Sequence, residues 1–99
     1  MSDFATIHLH GTDLASRTTA AALRAEVIAA SKAGLVTVNF SSVESVSESY
    51  ADESFGVLAD EFGLEWVTEH VRFEGIKPEV LRALAEAIYR RGQNGQIAA

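Results

Sequence analysis

Hydrophobic and polar positions alternate with two different periods along the chain. Phe4-Ala5-Thr6-Ile7-His8-Leu9 alternates every second residue around Ala5, Ile7 and Leu9, which predicts a short strand with one buried face. His10 to Asp13 reads as a turn. From Ser16 to Lys32 the period changes. Leu23, Val27 and Ala30 fall on one face of an alanine-rich helix, with Ser16 as N-cap and Gly34 at its C-terminal end. Leu35-Val36-Thr37-Val38-Asn39-Phe40 is β-branched and nearly continuously apolar, the pattern of a central strand covered on both faces. A polar loop, Ser41 to Ser49, follows, with Val43 and Val46 turned inward. Ala51, Phe55, Leu58 and Phe62 then mark the stripe of a second helix over 50–62, capped by Ser47 or Ser49 and ended by Gly63. The stretch 64–69 fits either a helical turn or a loop. His70-Val71-Arg72-Phe73 reads as a strand closed by Gly75. Pro78 opens a third helix with Leu81, Leu84 and Ile88 inward, Arg90 and Arg91 at its C-terminal dipole and Gly92 as its stop. The order is β-α-β-α-β-α, an α/β architecture with a mostly parallel sheet and right-handed crossovers.

The 99 residues allow one domain, read here as 1–92 followed by a flexible tail at 93–99. The absence of cysteine removes disulfides, thiolate zinc sites and a cysteine nucleophile. A net charge of −6 is the wrong sign for a direct nucleic-acid binder. No apolar run approaches the roughly 20 residues of a membrane span, and Met1 to Thr6 does not resemble a secretory signal, so the expectation is a cytoplasmic protein with no membrane contact. No Walker loop, Gly-x-Gly-x-x-Gly, nucleophile elbow or His-Glu-x-x-His occurs. His8 and His10 share a strand face, but a zinc site there would need carboxylates besides His70; they are read as solvated, and no cofactor is expected.

The informative stretch runs from Val36 to Gly56. A buried strand enters a polar loop, and the loop brings serines to a helix N-terminus, where free N–H groups favour an anion. Asp52 and Glu53 occupy the first helical turn. There they complement the dipole or meet a basic groove on a partner; a catalytic carboxylate pair lacks a nearby nucleophile and base. Arg17 opposes the dipole of its own helix, which points to an ion pair with Asp52 or Glu53 across the end of the sheet. Tyr50 and Trp66 lie outside the apolar stripes and serve either as interface anchors or as packing. From Glu44 to Glu79 ten acids face two bases, a net −8. Such a surface keeps the chain in solution or steers it to a basic partner.

Asn39-Phe40, Val43 and Ser49-Tyr50-Ala51-Asp52-Glu53, with Ser16-Arg17 ahead of them, resemble the STAS-like family of unknown function. That family sits within the STAS (sulfate transporter and anti-sigma-factor antagonist) superfamily. The resemblance spans about residues 7–91. It implies a small STAS-like sandwich and a regulatory protein-interaction module rather than an enzyme. Its contact surface would be the loop and tip of the second helix, with Ser47, Ser49, Tyr50, Asp52, Glu53 and Arg17 as contact residues. The partner it implies is a histidine-kinase-like ATPase or another switch component; a homodimer is also compatible. The sequence departs from the superfamily pattern at three positions. Asn39 replaces the usual Asp, Ser47 takes the place of the acid and Glu48 that of the first serine, so a phosphate on Ser49 would meet Glu48, Asp52 and Glu53. The alternative is a small acidic inhibitor, of the kind phages encode, that covers the nucleic-acid-binding surface of another protein.

Overall fold

The β-branched run at residues 35–39 forms the middle of a three-stranded sheet. A computed structural model describes residues 4–98 and the side chains of 5–92. In it, β1 (Phe4–His8) precedes a two-residue strand, β2 (Asp13–Leu14), and α1 (Arg17–Ser31). β3 (Leu35–Asn39) follows, then β4 (Ser45–Val46). β1 and β5 (Val71–Glu74) flank β3, both parallel to it, and β2 and β4 form a separate parallel pair. The short β2–β4 ladder gives no periodicity that a sequence reading could detect.

The middle strand is covered on one face, not two. Register aligns Ala5 with Val36 and Val71, and Ile7 with Val38 and Phe73. Val36, Val38 and Val71 in these rows are buried. The intervening rows, Thr6–Thr37–Arg72 and His8–Asn39–Glu74, carry polar side chains to the opposite face, where Asn39 Nδ2 donates to Glu74 Oε1 at 3.0 Å. The strand order β1-β3-β5 explains this. Two right-handed crossovers stepping the same way along a sheet deposit their helices on the same side.

The covering layer begins with α1, whose N-cap Ser16 accepts from Thr19 N and whose Ala20, Leu23 and Val27 are buried. The chain is then helical from 48 to 62, through α2 (Glu48–Ala51), a π-helical segment (Asp52–Gly56) and α3 (Val57–Phe62). This helix starts two residues before the expected Tyr50 because Ser47, not Ser49, is the cap. Ala51, Phe55 and Leu58 of the expected stripe are buried, but Phe62 is 43% exposed. A π turn holds more residues than an α turn, so the face computed from 3.6 residues per turn drifts beyond it.

Gly63, at φ 96°, separates α3 from α4 (Leu64–His70), which settles the undecided stretch as helix. Trp66 of α4 stacks between Phe62 and His70, with ring centroids 4.5 and 4.4 Å away. α5 (Pro78–Ala98) passes through Gly92 instead of stopping there. Gly92 is buried against Leu64, where a Cβ would collide with its side chain, so the glycine serves close packing and not a helix end. The flexible tail expected at 93–99 falls outside the residues whose side chains are described. Phe40 and Phe55 meet Phe73 edge-on, at 5.6 and 5.0 Å, at the centre of the core.

Gly75 closes β5 at φ 64°, and a Cβ there would run into Ser41 Oγ. Gly75→Ala is therefore expected to lower the unfolding free energy by about 1–3 kcal/mol, measured by urea denaturation.

Candidate functional site

The tip of the 48–62 helix is fastened to the short β2–β4 ladder. Ser47 N donates to Leu14 O at 2.9 Å, which ties the tip to the end of β2. The Ser47 hydroxyl works twice, accepting from Tyr50 N at 3.0 Å and donating to Ala15 O at 3.1 Å. It is a fastening for the loop. Ser49 is half-buried, and its hydroxyl forms no hydrogen bond among the described residues. Tyr50 is 2% exposed and belongs to the core. Burial, assisted by the nearby Glu26 charge, pushes its phenol above the usual range. As a contact anchor, Tyr50 is thus corrected to a packing residue. Tyr50 stands four residues before the fully buried Ser54, a spacing that sets it on the core-facing side of the helix.

Asp52 and Glu53 enter the π-helical segment side by side and meet three arginines. Arg91 of α5 holds Asp52 in a two-pronged bond, Nε to Oδ1 and Nη2 to Oδ2, each 2.8 Å. Its Nη1 reaches Asp60 Oδ2 at 3.3 Å. Arg17 and Arg24 of α1 both reach Glu53, at 3.0 and 3.2 Å, and Arg24 also donates to the Glu53 carbonyl. Arg17 lies 3.7 Å from Asp52 as well, which closes the chain of charges. The ion pair predicted for Arg17 is present.

Arg24 and Arg91 join Arg17 as partners of these acids, beyond the single pair that the sequence predicts. Arg24 follows Arg17 by two helical turns, a spacing that places two cations on one side of α1. Arg91 read as a C-terminal dipole residue only because the helix was expected to stop at Gly92.

The network shifts the carboxylates downward. The Arg91 hydrogen bonds hold Asp52 below the ordinary carboxylate range against a counteracting burial effect, and Arg24 and then Arg17 do the same for Glu53. Asp52 in turn raises Arg91. Glu53, at 26% side-chain exposure, gains less from its pairs, because its partner Arg17 is itself 56% exposed. Asp52, with 19% side-chain exposure, contributes more. Both carboxylates are neutralised by this chain's own arginines.

Gly56 completes the arrangement. A Cβ on Gly56 would lie 3.2 Å from Asp52 Oδ1, 3.4 Å from Ala87 Cβ and 3.4 Å from Arg91 Cγ. The absent side chain admits α5 close enough for Arg91 to reach across. Further along, Glu61, Glu65 and Glu69 are exposed on α3 and α4. Among the described residues no three His, Cys, Asp or Glu side chains converge on a metal position. Nor does any described helix have the length and apolarity to cross a membrane.

Depressed carboxylate pKa values stabilise the fold above the unfolded pKa and lose that contribution as pH falls through the folded one. Acidification below about pH 4 should therefore destabilise the protein, and Asp52→Asn should flatten that decline while costing about 1–3 kcal/mol at pH 7, read by urea titrations across pH. Gly56→Ala is expected to forfeit the roughly 1 kcal/mol helix-propensity gain of such a change and to lower Tm in a thermal melt, because Asp52 cannot yield without breaking its bond to Arg91.

Residues 19–81 match a family model described as a STAS-like domain of unknown function. The matched span contains Ser49, Asp52, Glu53 and Arg24, and leaves Arg17 and Arg91 outside it. No curated protein and no solved structure matches the chain.

Proposed function

The chain belongs to the family of STAS-like domains of unknown function, and from that premise we propose that it is a regulatory interaction module whose contact point is Ser49. The observation carrying this reading is the contrast between the two serines of the tip. Ser47 is committed twice to its own backbone, while the half-buried Ser49 hydroxyl has no partner among the described residues. Around it, Glu48 is exposed and Arg17 keeps 56% of its side chain open to water. The partner that fits the family likeness is a histidine-kinase-like ATPase or another switch component, and no reaction is assigned to the chain itself.

Phosphorylation of Ser49 would place two negative charges one helical turn before Asp52 and Glu53. Those carboxylates are already neutralised, so the phosphate would compete for Arg17, the outermost cation of the network. That competition supplies a physical route by which modification would loosen the contact of α1 with the tip.

The second reading, a small acidic inhibitor of a nucleic-acid-binding surface, is favoured by the exposure of Glu61, Glu65 and Glu69, none of which pairs with a described cation. Capture from a native-cell lysate, with the bound proteins identified by mass spectrometry, separates the two. Ser49→Asp is expected to weaken retention of the partner by about tenfold or more, and combined charge reversal at Glu61, Glu65 and Glu69 to leave it within a few-fold. The opposite pattern supports the inhibitor reading. Intact mass after incubation with the captured ATPase and ATP, showing no added phosphate, would remove the modification.

A further inference from the structure

β5 is the last strand on its side of the sheet, and its outer edge pairs with no described strand. Glu74 O accepts from Phe40 N at 2.8 Å, so alternation along the parallel ladder turns the N–H and C=O of Arg72 and Glu74 toward β3 and those of Phe73 away from it. Beside that edge runs a groove of about 580 Å³, walled by Leu64 and Val67 of α4, Val71 and Phe73 of β5, and Ala85 and Ile88 of α5. Tyr89, 58% exposed, stands at its margin. Exposed charges on an edge strand oppose its pairing with most other strands. β5 carries one charge of each sign, Arg72 and Glu74, placed symmetrically about Phe73 and both exposed on the uncovered face of the sheet.

We propose that this edge is a homodimer interface in which β5 pairs antiparallel with β5 of a second copy, centred on Phe73. A two-fold axis at Phe73 sets Arg72 opposite Glu74 of the second copy and Glu74 opposite its Arg72, giving two ion pairs from one strand sequence. Opposite charges directly across an antiparallel pair are favourable, and like charges are unfavourable. The same register makes Phe73 and its copy a hydrogen-bonded pair, each N–H meeting the other's C=O, so the free backbone groups of the edge are satisfied. Directly opposed residues point to the same side of a sheet. The second Phe73 ring therefore enters the layer beneath the helices, beside the groove, and α5 meets its copy along Ala85, Ile88 and Tyr89. The product is a continuous six-stranded sheet with one covered and one open face. The surface is separate from the Ser49 tip and does not depend on the docking reading.

Sedimentation equilibrium on the full chain provides the test, with circular dichroism to establish that each variant is folded; all the substituted residues are exposed. The wild type is expected to dimerise. Arg72→Glu alone and Glu74→Arg alone, which put like charges opposite each other twice per dimer, should each weaken the dimer by about tenfold or more, and the double exchange R72E/E74R should bring it back to near wild-type affinity. Amide exchange at Phe73 N–H should slow as protein concentration rises. A wild type that stays monomeric at the highest attainable concentration overturns the proposal, as do single variants that dimerise as well as wild type, or a double variant as weak as the singles. Phe73 N–H exchange that is independent of concentration in a dimerising sample would place the contact elsewhere and equally overturn it.

Discussion

The bidentate bond between Asp52 and Arg91 links a π-helical segment in mid-helix to a residue of α5 thirty-nine positions later, and much of the architecture depends on it. Planar guanidinium and carboxylate groups engaged by two bonds at 2.8 Å define an orientation as well as a distance. With Arg17 and Arg24 held by Glu53 on the other flank, one pair of adjacent acids ties α1 and α5 to the helix between them. Three cations and three carboxylates, counting Asp60, meet in a chain that is otherwise acidic. The local neutrality explains how like-charged neighbours can stand side by side within the helix without forcing it open.

The π turn and Gly56 belong to the same device. A wider turn redirects the two acids toward opposite flanks, and the missing Cβ lets α5 approach. Ser54, fully buried in that turn, returns its hydroxyl to Tyr50 O at 2.6 Å and leaves no polar group unsatisfied. A motif of serine, aromatic, alanine and two acids, which in sequence looks like a row of surface contacts, is in the folded protein largely an internal joint. The Ser49 and Tyr50 hydroxyls both lack a partner among the described residues, and of the two only Ser49 lies outside the buried core. This division limits what regulation at the tip can touch: a change at Ser49 is felt next by Arg17, and through Arg17 by α1.

One-sided coverage of the sheet has consequences at its margins. A sheet covered on one side exposes a polar face, and its outer strand is lined by helices on only one side. The charged pair on β5 sits on that open face and the aromatic residue between them faces the helices, so the edge has both a polar and an apolar selector within three residues.

Local sequence signals were enough for the three longer strands and the longer helices and for their order, but not for the β2–β4 pair or α4. The β-branched run of Leu35–Asn39, the alanine-rich amphipathic stretch after Ser16 and the helix start at Pro78 are local signals, set by backbone propensity and periodicity. The Arg17 ion pair was legible for a similar reason, since a cation at a helix N-terminus is unfavourable unless something compensates it. Long-range packing settles that Ser47 caps and Ser49 does not, that Tyr50 is interior, that Gly92 is a packing glycine, and that Arg91 is the partner of Asp52. Each of these depends on what lies opposite in space: Ala15 O against Ser47, Leu64 against Gly92, Asp52 against Arg91. The coverage of β3 was likewise beyond local reading. An apolar strand looks the same whether helices lie on one side or both, and the choice was made by two crossovers running in the same direction along the sheet.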